Sequence, residues 1–110
     1  DEVIIFSPYW VSYDALVRLA EAKPVLVKGG IESDFKVTAA QVEKAITPKT
    51  RVVIFSSPCN PTGSVFLRSE LEAISKVILK HENILVIADE IYEHINFTNE
   101  RVSIAALPGM

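Results

Sequence analysis

The fold is decided by the stretch Arg51-Val52-Val53-Ile54-Phe55-Ser56-Ser57-Pro58-Cys59-Asn60-Pro61-Thr62-Gly63, in which a short apolar run passes directly into a loop of polar and turn-forming residues. A continuous, β-branched run of this length is typical of a strand that is buried on both faces. Three more runs of the same kind are found, at Val3-Ile4-Ile5-Phe6, Pro24-Val25-Leu26-Val27 and Ile84-Leu85-Val86-Ile87-Ala88. The sequence therefore predicts four buried strands.

Helical periodicity occupies the segments between the runs. The first helix is predicted over about residues 11–22, with an apolar face formed by Tyr13, Leu16, Val17 and Ala20. The second begins at a capping box of Thr38 and Gln41 and ends before Pro48, with an apolar face formed by Val42, Ala45 and Ile46. The third is predicted over about residues 68–80, with an apolar face formed by Leu71, Ile74, Val77 and Ile78.

The N-terminus of the third helix has two candidate stabilising groups, either Ser69 with Glu72 or Glu70 in the first turn. The resulting order βαβαβαβ predicts a three-layer α/β/α protein, because strands that alternate with helices form a parallel sheet with right-handed crossovers. Helices are expected on both faces, since the strands show no polar side.

Composition narrows the function classes. The chain has 110 residues, of which 49% are hydrophobic and 23% charged, and this is the composition of one globular domain. A net charge of -3 argues against nucleic acid as a partner, and no apolar run is long enough to span a membrane. A disulfide scaffold is excluded because Cys59 is the single cysteine. No metal site is predicted, because His81 and His94 lack partners at ligand spacing.

Ligands of open parallel α/β sheets bind beyond the carboxyl ends of the strands, and three of the four predicted strands end in polar or aromatic groups. Asp89 follows the fourth run, where it either pairs with a cationic ligand atom or caps a turn. Trp10 follows the first run, and either stacks on a planar ligand or packs in the core. Asn60 lies between two prolines in a stiff loop that either aims its amide or is an ordinary turn. Tyr92 follows Asp89 by three residues and is either a hydrogen-bond donor or a half-buried surface tyrosine.

These segments together resemble the large domain of fold-type I pyridoxal-phosphate aminotransferases, in particular the aspartate aminotransferase family. The resemblance is carried by Pro8-Tyr9-Trp10-Val11-Ser12-Tyr13, Asn60-Pro61-Thr62-Gly63 and Ala88-Asp89-Glu90-Ile91-Tyr92. It implies that residues 1–110 are a central fragment of the cofactor-binding domain, with strand order 2-1-3-4. It also implies pyridoxal 5'-phosphate as cofactor, and an amino acid, with aspartate favoured, and a 2-oxo acid as substrates.

The resemblance assigns cofactor-binding roles to four residues. Asp89 would pair with the pyridine nitrogen and keep it protonated, which makes the ring a better electron sink. Asn60 and Tyr92 would hydrogen-bond the phenolic oxygen of the ring, and Trp10 would stack on it. The resemblance also implies cis peptide bonds before the prolines, notably Pro61.

The resemblance has gaps as well. No lysine of the chain lies in the Ser-x-Ser/Thr-Lys setting of the family's Schiff-base lysine, and Leu67 stands where a Ser or Thr often caps the helix. We therefore expect no catalytic residue within residues 1–110 and no transamination by this chain alone. Two alternatives stay open: a β-lyase or cyclopropane-carboxylate-synthase-like enzyme of the same fold, and a non-catalytic α/β binding module.

The resemblance implies that the whole protein is a cytoplasmic homodimer. For the chain by itself, the predicted topology leaves the fourth strand with an open, apolar edge. Such an edge favours pairing with another chain, and a chain of this size buries a limited share of its surface. We therefore expect marginal stability or self-association.

Overall fold

A computed structural model describes residues 1–98 and 100–110. Four parallel strands form one sheet in the order β2-β1-β3-β4. Their bounds are Glu2–Ser7 (β1), Lys23–Lys28 (β2), Thr50–Ser56 (β3) and Leu85–Asp89 (β4). The α/β class and the predicted strand order are therefore confirmed. The chain turns from β1 to β2 on one side and then returns to place β3 on the other side of β1.

Three α-helices connect the strands, and they divide between the two faces of the sheet. Helix α1 (Ser12–Leu19) packs on one face, and α2 (Ala39–Ala45) and α3 (Arg68–Ile78) pack on the other. The larger half of the core lies under α2 and α3, where Ile4, Val42, Val53, Leu71 and Ile74 are almost fully buried. This half of the core packs against β1 and β3. Between these two parallel strands the order in which strands are added to the sheet changes side.

The face under α1 is covered less completely than the sequence predicted. Helix α1 packs Tyr13 and Val17 against Val3, Ile5 and Ile54 of the central strands. On β4 the apolar residues of this face remain open, since Leu85 and Ile87 are 71% and 51% exposed. The expectation that all four strands are buried on both faces is thus wrong for β4, which this eight-residue helix does not cover, and for β2, where Leu26 is 52% exposed. Within residues 1–98 and 100–110, β4 pairs with β3 alone, as the topology predicted.

The three predicted helices are all present, but their bounds differ from the predicted ones. Helix α1 is shorter than predicted, because the chain leaves the helix after Leu19 and reaches a positive φ of 56° at Glu21. Leu16 and Ala20, which were predicted on the apolar face, are exposed. The capping box of Thr38 and Gln41 is present, with backbone-to-side-chain hydrogen bonds of 2.9 and 3.3 Å.

At α3 the stabilising group is Glu70 rather than Ser69 with Glu72. The Glu70 carboxylate accepts the backbone N–H of Leu67 at 2.7 Å. It also binds the Lys36 ammonium at 2.9 Å, so it joins the helix to the segment before α2. A carboxylate in the first turn compensates for a Leu67 side chain that has no oxygen to cap the helix.

Among the described residues after β4, Ile104–Ala106 form a 3-10 helix that was not predicted from the sequence. Ile104 and Leu107 are 2% and 4% exposed and pack into the core beside α3. In the described part of the chain, no helix is both long and apolar enough to cross a membrane.

Candidate functional site

The polar ends of β1, β3 and β4 converge on one cavity of about 360 Å³. It is lined by six residues, Trp10, Ser56, Asn60, Asp89, Ile91 and Tyr92. All four residues that the sequence selected therefore lie around one space. The cause is topological, because adjacent parallel strands end at the same edge of the sheet.

Asp89 is the last residue of β4, and both of its carboxylate oxygens accept hydrogen bonds from the chain. The Tyr13 hydroxyl donates to Oδ2 at 2.5 Å, and the Ile91 backbone N–H donates to Oδ1 at 3.2 Å. The bond from Ile91 shows that Asp89 caps the following turn, which was one of the two roles predicted for it. The cap leaves the carboxylate at the cavity wall, so both interpretations are compatible.

Tyr13 is the least exposed residue of this site, at 3%. Burial raises the pKa of its hydroxyl well above the usual value of 10.0, and the hydrogen bond to Asp89 and the negative charge of Asp89 raise the pKa further. The neighbouring Ser56 hydroxyl lowers the pKa of Tyr13, but by less than these three causes together raise it. Tyr13 is therefore a neutral donor at physiological pH.

Ser56, the last residue of β3, contributes a hydroxyl with an unusual environment. It is 5% exposed, and its Oγ has no hydrogen-bond partner within the described residues. A buried hydroxyl of this kind is costly unless water or a ligand satisfies it. Because Ser56 lines the cavity, a molecule in that cavity is the available partner.

Asn60 and Tyr92 approach each other across the cavity. Nδ2 of Asn60 lies 3.3 Å from the Tyr92 hydroxyl and donates a hydrogen bond to it. The two side chains come from different loops, after β3 and after β4, and Tyr92 points to the same side as Asp89 because residues 90–93 form a tight turn. Together they present an amide and a phenol beside the carboxylate.

The loop that carries Asn60 is held by its own hydrogen bonds. Gly63 N–H donates to the Cys59 carbonyl at 2.7 Å, and Cys59 N–H donates to the Ser64 carbonyl at 2.9 Å. Gly63 has φ of +73°, a conformation that favours glycine. The bonds fix the position of the Asn60 amide.

The peptide bonds Ser7–Pro8, Ser57–Pro58 and Asn60–Pro61 are cis, and the last of these was predicted specifically. They lie in the loops after β1 and β3, which carry Trp10 and Asn60.

Trp10 presents its indole at the rim of the cavity. The side chain is 44% exposed, and the indole meets the Tyr13 ring edge-on, at 5.8 Å between centroids and 87° between planes. The core-packing alternative is therefore wrong, and an aromatic face remains available to a ligand.

Sequence reasoning missed two members of the site, Tyr13 and Ser56. Tyr13 was placed on the apolar face of α1 and in the stretch that carries the family resemblance, but it was given no role at the site, and Ser56 was quoted only as part of a loop. A signal for Tyr13 was present, because a phenol three residues after Trp10 at the start of a helix lies at the same sheet edge as the other candidates. Nothing in the sequence distinguished Ser56 from Ser57.

A larger cavity, of about 700 Å³, lies between the end of α3, β4 and residues 103–110. This cavity shares no lining residue with the first one. Of the residues in the turn after β4, only Glu90 lines it. Across the described ranges, no group of three or more His, Cys, Asp and Glu side chains is arranged to hold a metal ion.

These features define an α/β protein whose ligand crevice lies at the point where the strand order reverses, with a carboxylate, an amide, a phenol and an indole around it. The sequence pattern of the family described as "Aminotransferase class I and II" matches residues 1–108. The chain belongs to this family.

Individual relatives agree with this assignment. The chain is 53% identical over 95 residues to an aspartate/prephenate aminotransferase from Nitrosomonas europaea, and the match covers 86% of the chain and 24% of the relative. An aspartate aminotransferase from Thermus thermophilus, solved with maleate, is 41% identical with a TM-score of 0.91 and covers 96% of the chain and 27% of that structure. An aromatic aminotransferase from Pyrococcus horikoshii is 43% identical with a TM-score of 0.94, and the match covers 100% of the chain and 30% of that structure. The chain spans about a quarter of the length of the curated relatives it matches.

Proposed function

We propose that the protein carrying this chain is a pyridoxal-phosphate-dependent aminotransferase that moves an amino group from an L-amino acid, with aspartate favoured, to a 2-oxo acid. The observation that carries the proposal is the Asp89 carboxylate, which Tyr13 and the turn hold at the wall of a crevice with an open indole face. Relatives named for aspartate and prephenate support the choice of donor.

The residues of the cavity fit the proposed cofactor. A space of about 360 Å³ is at the lower end of the usual range for small-molecule sites. A planar, polar molecule would supply a partner for the Ser56 hydroxyl, which has none among the described residues, and for the exposed part of the Trp10 indole. The Asp89 carboxylate, which has no ion-pair partner among the described residues, completes a set of groups that suits a protonated pyridine.

Each side chain has a defined role in this proposal. Asp89 holds a proton on the ring nitrogen, since a carboxylate favours the charged form of a neighbouring base. Trp10 fixes the plane of the ring, and the Asn60–Tyr92 pair binds its phenolic oxygen. The cofactor, when bound, supplies an electron sink for the α-carbon of the substrate.

The proton at that carbon must be moved by a base from another part of the protein. Within the described residues no lysine lines the cavity. Lys36, the least exposed lysine, is bound to Glu70 and to the Val65 carbonyl. We therefore propose that residues 1–110 grip the cofactor and do not transaminate alone. Homodimeric assembly and a cytoplasmic location remain predictions from the family resemblance.

The test uses the full-length protein with pyridoxal phosphate, aspartate and 2-oxoglutarate, and measures oxaloacetate. We expect formation above a blank, and a decrease on the order of 10²-fold or more in Asp89→Asn, because a charge that stabilises the reacting system is lost. Glu93→Gln is the matched control, since this exposed carboxylate lies in the same turn outside the cavity. Release of ammonia and a 2-oxo acid without amino transfer would instead indicate lyase chemistry. No reaction with any amino acid would contradict the proposal.

A further inference from the structure

Tyr13 and Asp89 form the shortest contact in the candidate site, although 76 residues separate them in sequence. Tyr13 lies in the first turn of α1, on the face that packs against the sheet, and its hydroxyl reaches the end of β4. Its ring is fixed from two sides, by Tyr9 stacked at 6.4 Å and by Trp10 edge-on at 5.8 Å. The hydroxyl therefore has a defined position and little freedom to follow a moving carboxylate.

The Asp89 carboxylate has two anchors, and they differ in strength. The Tyr13 hydroxyl donates to one oxygen at 2.5 Å, a length typical of a hydrogen bond to a charged group. The Ile91 N–H donates to the other oxygen at 3.2 Å in an exposed turn, which is the weaker contact. Without Tyr13, the carboxylate would be held at one oxygen only and could rotate about its side-chain bonds.

The protonation state of Tyr13 suits this task. Burial and the adjacent negative charge keep the pKa of the hydroxyl far above physiological pH, so it always carries the proton that it donates. The bond has one fixed direction, from the phenol to the carboxylate.

We propose that Tyr13 is a positioning residue whose hydroxyl holds the Asp89 carboxylate in the orientation in which that carboxylate meets the ring nitrogen of the cofactor. This inference rests on the proposed function. It assigns to α1 a role beyond packing, because this helix ties the loop that carries Trp10 to the strand end that carries Asp89.

The test is a double-mutant cycle in the full-length protein, with the dissociation constant of pyridoxal phosphate as readout. Tyr13→Phe removes only the hydroxyl, and we expect it to weaken cofactor binding about tenfold, which is about 1.4 kcal/mol. If Tyr13 acts through Asp89, the same change in the Asp89→Asn background should alter binding by no more than about twofold. Equal losses in both backgrounds would overturn the inference.

The matched control is Tyr9→Phe. Tyr9 stacks on Tyr13 in the same cluster, but no hydrogen bond of its hydroxyl is found in the described part of the chain. Loss of this hydroxyl should leave cofactor binding unchanged. A loss of affinity equal to that of Tyr13→Phe would mean that removing either hydroxyl of this cluster weakens binding, and it would refute the specific positioning role of Tyr13.

A steady-state measurement separates positioning from general damage. Because the cofactor ring and not the amino acid meets Asp89, Tyr13→Phe should lower kcat and leave KM for aspartate within about twofold. Incorporation of 3-fluorotyrosine at position 13, which retains the hydroxyl, should restore kcat and leave KM unchanged. This variant also covers the case in which Tyr13→Phe folds poorly. Failure of this rescue in a folded protein would contradict the inference.

The outcomes also separate this inference from the proposed function. If the wild-type protein binds no pyridoxal phosphate, the proposed function fails. If it binds the cofactor and Asp89→Asn weakens binding while Tyr13→Phe does not, the function stands and the positioning role is refuted.

Discussion

Replacement of Trp10 by alanine should cost more free energy of cofactor binding than free energy of unfolding. Trp10 is 44% exposed, so of the ~250 Å² that a large aromatic side chain can bury, about 100 Å² is open. A planar ring covers one face, about half of this area, and contributes about 1.2 kcal/mol at 25 cal/mol per Å². An aromatic pair adds about 0.5–1.5 kcal/mol. The sum of about 2 kcal/mol corresponds to a dissociation constant raised about 30-fold.

The fold should be affected little, because the contact that Trp10 makes with Tyr13 is one edge-on aromatic pair. Its loss should cost about 1 kcal/mol and lower the melting temperature by a few degrees. The assay is an equilibrium titration of the cofactor-free, full-length protein with pyridoxal phosphate, followed by a thermal melt of each variant.

Two variants make the experiment decisive. Trp10→Phe keeps an aromatic face and should lose no more than about fivefold in affinity. Phe97→Ala removes an aromatic ring that is 95% exposed and does not line the cavity, so it should leave the affinity unchanged. The reasoning is refuted if Trp10→Ala binds the cofactor as tightly as wild type, or if Phe97→Ala weakens binding to the same extent.

Three further predictions concern stability and pH, each measured by denaturant or thermal unfolding. Ile74→Ala should lower the free energy of unfolding by about 2–5 kcal/mol, because Ile74 is fully buried on the face of α3 that packs on the sheet, and a loss below about 1 kcal/mol would contradict the packing described. Ser56→Ala should be neutral or stabilising, since the hydroxyl has no partner in the described residues to lose, whereas a marked loss would reveal one. Tyr13 has a pKa raised in the folded state, so its contribution is complete below pH 10 and is lost as pH rises further; stability should fall above pH 10, and less steeply in Tyr13→Phe.

The sheet could be predicted from the sequence because its central strands are apolar on both faces. Such runs are typical of a buried parallel sheet when helical segments alternate with them, and the resemblance to a known family then implied the strand order. The coverage of β4 could not be predicted in this way, since Leu85 and Ile87 are apolar but exposed. Periodicity reports which residues are apolar and does not report whether a neighbouring element reaches them.

The members of the candidate site that lie at or just after strand ends were predicted from the sequence. The hydrogen bond between two residues that are distant in sequence was not. Asp89, Asn60 and Trp10 stand at strand ends, where topology alone brings them together. The bond from Tyr13 to Asp89 joins α1 to the end of β4, and only the packing angle of α1 determines it. The stabilising group at the start of α3 could not be chosen from the sequence for a local reason. Ser69, Glu70 and Glu72 are all plausible candidates, and the register of the first turn selects Glu70.

The central claim is that this crevice binds the ring of pyridoxal phosphate. A crystal structure of the full-length protein with the cofactor tests it most directly. We expect the ring to lie between the Trp10 indole and the sheet edge, with the ring nitrogen within hydrogen-bond distance, about 3 Å, of the Asp89 carboxylate. A cofactor bound elsewhere, or a ring nitrogen that faces no carboxylate, would contradict it.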